Sequence, residues 1–218
     1  FHQQKIWSNL MTFGLVKHNN NSISAITSAG NLAQGKMTLI KEQTASSSSS
    51  ISFVDGSSDV VLDSTYPIYL FKFINIHPAT NDSAFTFNGS TDTGSNYNVT
   101  KTSTAFNAYH RESGSEASIA YQSGHDLAQG TGFQKLSTGI GNDADENGSG
   151  TLLIFNPSST TFVKHFIANS NRSSGTFTIN DFIAGYFNTA SAVDAIQFKF
   201  ASGNIDDGII KLYGIKGS

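Results

Sequence analysis

The sequence predicts an all-β protein, an antiparallel β-sandwich of jelly-roll-like form preceded by an extended N-terminal arm. Three observations carry this expectation. From residue 51 onward, apolar residues come in short runs rich in Ile, Val, Phe and Tyr, the types that suit a pleated, half-buried surface. Clusters of Asn, Gly, Pro and Ser punctuate those runs at strand-like intervals. No long stretch repeats its apolar residues at the helical period. With 218 residues, the chain is long enough to bury a core of its own.

Residues 1–50 read as the arm. Ile6, Trp7, Leu10, Met11, Phe13, Leu15 and Val16 form an apolar cluster, and an apolar patch on a polar arm either docks on a partner or packs back on its own domain. A serine run, Ser46 to Ser50, closes the arm like a linker. The domain proper is expected over 51–218. Its strand candidates are Ile51–Val54, 60–62, 68–76, 84–87, 105–110, 152–155, 162–167, 182–187, Ala195–Phe200 and 209–215. The strongest is 68–76, nearly continuous in β-branched and aromatic residues and stopped by His77-Pro78, because proline cannot donate to a sheet ladder. Asn88-Gly89 reads as a turn pair, and Asp206-Asp207-Gly208 as a turn between the last two strands. The pair 152–155 and 162–167 reads as a hairpin. In Ala195–Phe200 the alternation puts Ile196, Phe198 and Phe200 inward. Residues 118–136 fit either a short helix or a long loop.

Composition narrows the function. Charged residues make up 13% of the chain and the net charge is −3. No Lys/Arg cluster is present, so the basic stripe that a phosphate backbone requires is missing and nucleic-acid binding is not expected. There is no cysteine, which excludes disulfides and thiolate metal sites. No apolar run reaches the length of a membrane span. Six N-x-S/T sequons, at Asn20, Asn81, Asn88, Asn98, Asn147 and Asn171, are read as the chance product of a chain rich in Asn, Ser and Thr.

The sequence holds no nucleophile elbow, no phosphate-binding glycine loop and no H-E-x-x-H, and an enzyme is not expected. Asp143-Ala144-Asp145-Glu146-Asn147-Gly148 matches the opening of a calcium loop. There Asp143, Asp145 and Asn147 could point inward around Ca2+ while glycine makes the sharp turn. The twelfth position is Ile154, where that motif needs a bidentate Glu, so only a looser ion site is a candidate. Glu112 and Glu116 flank a short stretch after Arg111 and read as surface groups, not as a glycosidase pair. Tyr97, Tyr109 and Tyr121 lie near polar loops and are candidate glycan contacts, since tyrosine stacks on sugar faces.

Several phrases together carry a resemblance. They are Phe71-Lys72-Phe73-Ile74-Asn75-Ile76-His77-Pro78, Ser95-Asn96-Tyr97-Asn98-Val99-Thr100-Lys101, and Gly150-Thr151-Leu152 through Asn156-Pro157-Ser158. To these add Ala184-Gly185-Tyr186-Phe187-Asn188-Thr189, and Ala195 through Ile205 to Leu212-Tyr213-Gly214-Ile215. Over roughly residues 17 to 218 the chain resembles short virion-associated structural or fibre-like proteins of marine tailed bacteriophages, of the cyanophage and pelagiphage type. The first ten residues fall outside it, and Met11 is the expected natural start. The resemblance implies a virion structural protein at the particle surface, an appendage, fibre or capsid-decoration subunit. Its expected partners are its own copies, as a trimer, and capsid or tail proteins of the particle. In that setting Trp7, Leu10, Phe13, Leu15 and Val16 would be the particle anchor. The other expectation is a receptor-binding module that meets host surface glycans through its loops.

Overall fold

The structure, a computed structural model, describes residues 37–216. The expected anchor residues Trp7, Leu10, Phe13, Leu15 and Val16 lie outside the described residues. Within them the chain is all-β, with twelve strands and no helix. In chain order these are β1 (Met37–Ser48), β2 (Ile51–Val54), β3 (Ile68–Pro78), β4 (Ser83–Ser90), β5 (Lys101–Arg111) and β6 (Ala117–Tyr121). They continue with β7 (Gln134–Ile140), β8 (Gly148–Phe155), β9 (Lys164–Ser174), β10 (Phe177–Phe187), β11 (Ala195–Phe200) and β12 (Ile205–Ile215).

The strands form two antiparallel sheets. The large sheet has the order β1-β12-β3-β8-β9-β10-β5-β6, and the small one β2-β11-β4-β7. Strands β1, β2, β3 and β4 alternate between the sheets, and so do β7, β8, β11 and β12. Two hairpins are inserted into this alternation. β5-β6 and β9-β10 both add to the large sheet, beyond β8, and give it twice the strands of its partner.

The core lies between the sheets and is built on phenylalanine. Phe198 of β11 sits among Phe71 and Phe73 of β3, with ring centroids 5.1 and 5.2 Å away, and Phe53 of β2, at 6.2 Å. Phe85 and Phe87 of β4 close the group at 5.9 and 6.4 Å. Rings from both sheets therefore interlock, and such pairs add about 0.5–1.5 kcal/mol each beyond their buried area. Ile196, Phe198 and Phe200 all point inward, as the alternation predicts.

The structure departs from the sequence reading at several places. Met37–Ser48 is a strand, paired with β12 from Met37↔Ile215 to Ser48↔Ile205, so these residues belong to the sheet and not to a linker. The serines belong to a strand paired on one side only, where hydroxyls face water at no cost. Residues 60–62 form no strand. Val60 and Leu62 are still buried, held by Gly56 N–H donating to the Val60 carbonyl and Leu62 N–H to Asp55 Oδ1. Asn88-Gly89 is not a turn but lies within β4, near its end. A Cβ on Gly89 would come within 2.9 Å of both Phe187 and Val193, so this glycine serves close packing. Asp206, Asp207 and Gly208 lie inside β12, where the register against β3 shifts twice. This is a bulge, with Gly208 at φ 129°. Residues 118–136 hold no helix but two strands and the loop between them.

Candidate functional site

The calcium-loop match is a β-turn. Glu146 N–H donates to the Asp143 carbonyl at 2.9 Å, and the Asp143 and Asp145 side chains are exposed. Asn147 N–H donates to Ser173 Oγ at 3.1 Å. The inward carboxylate is that of Glu146, in the position the motif leaves unspecified. Its two oxygens accept the N–H of Gly175, at the β9-β10 turn, and the N–H of Asp143. Among the described residues, no three His, Cys, Asp or Glu side chains converge as metal ligands, and the Asp143 and Asp145 carboxylates face solvent rather than a common point inside the turn. The turn instead staples the start of β8 to the β9-β10 hairpin. Gly141 makes room for it, because a Cβ there would overlap the Glu146 carboxylate. Glu146→Gln should lower the unfolding free energy by about 1–3 kcal/mol, since an amide NH2 would face a backbone donor in place of an acceptor. Asp145→Asn should stay within about 0.5 kcal/mol. Urea denaturation of the two variants checks the contrast.

The three tyrosines do not share a surface. Tyr97 lies in the loop between β4 and β5, where its carbonyl accepts from the Asn88 amide at 2.7 Å. Tyr121 pairs with Phe106 across β5 and β6, so the two share a face. Tyr109 is three positions from Phe106 and points to the opposite face. Its ring packs edge-on against Phe177 at 5.8 Å. Glu116 is occupied by Arg111, 2.9 Å away, and no carboxylate pair faces a cleft there. His77 Nδ1 lies 3.8 Å from Asp206 in a polar hollow of about 370 Å³ that also takes in Asn75, Glu146 and Asp207.

The more developed feature is on the outer face of the large sheet. Register places its residues in rows across β9, β10 and β5. Ile167, Ala184 and Thr104 form one row. His165, Tyr186 and Thr102 flank it on one side, and Asn169, Phe182 and Phe106 on the other. The central row carries small side chains on two strands, between rows that carry rings. A groove results, running across the strands. Its two hollows, of about 470 and 200 Å³, share Thr104, Ile167 and Ala184. Phe106 and Phe182 stack at 4.8 Å with planes 9° apart, and His165 meets Tyr186 edge-on at 6.0 Å. At the sheet's edge, the whole of β6 is exposed, with Ile119 68% and Tyr121 57% accessible.

The groove surface is mainly apolar; the Thr102 and Thr104 hydroxyls and the His165 and Tyr186 rings are its polar groups, and it holds no carboxylate or ammonium group. The outward positions of β8, β9, β10, β5 and β6 carry no Lys, Arg, Asp or Glu at all. On the other half of the same face, Lys211 pairs with Glu42 at 2.8 Å and Lys72 lies over the Tyr213 ring. Sequence reasoning missed this surface. Only the alternation of polar and apolar residues along 164–187 hints at it, and the groove itself depends on the register of three strands. Comparison with family models, with curated proteins and with solved structures gave no match.

Proposed function

We propose that this chain is a non-enzymatic structural protein of a tailed-phage particle, a surface appendage, fibre or capsid-decoration subunit that assembles with copies of itself. The eight strands that alternate between the sheets are read as a jelly roll. Their order, β1-β12-β3-β8 facing β2-β11-β4-β7, is the winding of two interleaved Greek keys. The observation that carries the assembly reading is the uncharged half of the outer sheet, in which Phe106, Ile167, Phe182, Ala184 and Tyr186 cluster as accessible apolar groups. Monomeric soluble proteins rarely expose a contiguous apolar patch of more than a few hundred Å². The resemblance to marine phage virion proteins supplies the setting; a trimer is the expected state, and the apolar cluster with Trp7, Leu10, Phe13, Leu15 and Val16 in the N-terminal arm is read as the attachment to capsid or tail.

Light scattering on the purified full chain tests the reading. The expected result is a closed oligomer, a trimer of the 23.3 kDa chain. A monomer at micromolar concentration would overturn it and favour the receptor-binding reading, with glycan arrays as the next measurement.

A further inference from the structure

We infer that the outer face of β8-β9-β10-β5-β6 is the surface on which a second copy of this chain docks. In this contact the exposed ridge Ile119 and Tyr121 of one copy fills the groove over Ala184 and Thr104 of the next. The inference rests on the assembly reading above and says where that assembly is made.

The argument begins with charge. A partner of different composition is selected by complementary potentials, and this face offers none. A second copy is the partner for which the absence of charge is an advantage, because in a contact between identical surfaces like charges tend to meet. The asparagine side chains at the centre of the face are already hydrogen-bonded within the sheet. Asn169 donates to Asn180 Oδ1 at 2.9 Å, and Asn171 to Thr178 Oγ1 at 3.0 Å. Covering them leaves fewer unpaired polar atoms, which is the main cost of burying a polar surface.

Area agrees. Five strands about 4.8 Å apart, each presenting roughly 30 Å of length, make a face of about 700 Å². A stable specific interface takes roughly 800 Å² from each partner. Shape agrees as well. The most exposed large apolar side chain of this face is Ile119, on the edge strand. The groove lies two strands in from that edge, between β9 and β5. Ridge and groove are separate patches, so the ridge of one copy entering the groove of the next makes a head-to-tail contact, the kind that closes a ring such as a trimer. Asp126, in the loop after β6, accepts the Tyr121 hydroxyl and holds that ring in place.

The test uses the full chain with single substitutions at exposed positions, checked for folding by circular dichroism. Ile119→Lys on the ridge and Thr104→Lys in the groove should each reduce the light-scattering mass to that of a single chain. Thr44→Lys, outward-facing on β1 in the other half of the sheet, should leave the mass of the assembly unchanged. Retention of the oligomer by both Ile119→Lys and Thr104→Lys would overturn this interface and leave the assembly reading standing. Dissociation by Thr44→Lys alone would move the contact to the other half and overturn it too. A wild-type chain that is itself monomeric would remove both the interface and the assembly reading.

Discussion

Arg172→Leu should lower the unfolding free energy by about 3–5 kcal/mol, the cost of stranding one member of a buried ion pair. Arg172 of β9 and Asp181 of β10 face inward beyond the phenylalanine cluster, with side chains 7% and 3% exposed. Arg172 Nη1 donates to the Gly139 carbonyl at 2.8 Å and Nη2 to Thr138 Oγ1 at 3.3 Å. Both acceptors belong to β7, so this one side chain bolts the inserted hairpin to the small sheet. Nε stands 3.5 Å from Asp181 Oδ2 and makes no hydrogen bond. Its pairing with Asp181 is therefore mostly Coulombic. Burial pulls the guanidinium below its usual range, and Asp181 opposes that pull. Asp181 takes its remaining contacts from Ser137 Oγ at 3.3 Å and the Asn107 amide at 3.5 Å. Asp181→Asn should cost a similar amount, by leaving the guanidinium buried without its counter-charge. The double variant Arg172→Met with Asp181→Leu should recover most of the loss, because an apolar pair of similar volume needs no desolvation. Urea denaturation at pH 7 measures all three. An Arg172→Leu variant within 1 kcal/mol of wild type would mean that the interior at this place is wet.

The second large effect is a dependence of stability on pH set by Lys101. Its side chain is fully buried, with Nζ donating to Asn88 Oδ1 at 2.5 Å and the Val99 carbonyl at 2.7 Å, and lying over the Phe187 ring. Among the described residues no carboxylate lies within ion-pair distance of it. Burial without a counter-charge pushes its pKa down to about 7. The unfolded chain holds this proton up to its ordinary value near 10.5. Between pH 7 and 10.5 the unfolded state therefore binds more protons than the folded one, and stability rises with pH across that window. Below pH 7 both states hold the proton and the slope vanishes. The full rise is about 4–5 kcal/mol as an upper bound. Lys164, displaced in the same direction by its own burial, adds to it. Tyr69 acts oppositely at the alkaline end. Burial, with Asp63 beside it, holds its phenol protonated above the usual range. The measurement is therefore best made between pH 7 and about 9.5. Wild type should show midpoints that climb through this range, and Lys101→Met should lose about one proton's worth of the slope. A wild-type midpoint that falls with rising pH would remove the argument.

The legible part of this fold was the part whose side chains do one thing each. Strand β3 and strand β11 announce themselves because Tyr69, Phe71, Phe73 and Ile76 on the one and Ile196, Phe198 and Phe200 on the other go into the core. The strands that escaped reading are those that mix tasks. β1 is serine-rich because its free edge meets water, and it imitates a linker. β6 is exposed along its whole length, so it shows no alternation between two environments. β7 buries Gln134 and Ser137 as hydrogen-bonding groups, and polar letters in a core look like a loop. Asn88-Gly89 and Asp206-Asp207-Gly208 have turn chemistry, but tertiary contact uses it within strands, for a close approach and a bulge. The acidic motif at 143–148 misled for a related reason. The residue that matters there is Glu146, and its carboxylate accepts from the Asp143 amide of its own turn and from the Gly175 amide of a hairpin 29 positions along the chain. The surface proposed for docking left no local trace, because it is made by three strands in register and by what their outward positions lack.

The pairing of β1 with β12 has a consequence in time. The first and last strands of the domain are neighbours, joined over nearly their full lengths. Strands β2, β3, β4 and β5 also wait for partners from later in the sequence, and of the first half only β6 completes its pairing with the strand before it. Such a topology is dominated by loop closures between distant points, and these are the slow steps of folding. During synthesis β3 emerges long before β12 exists to cover its flank, and its bare edge is open to other nascent chains. Yield in a recombinant host should therefore be governed by rate of synthesis and temperature more than by the stability of the finished sandwich.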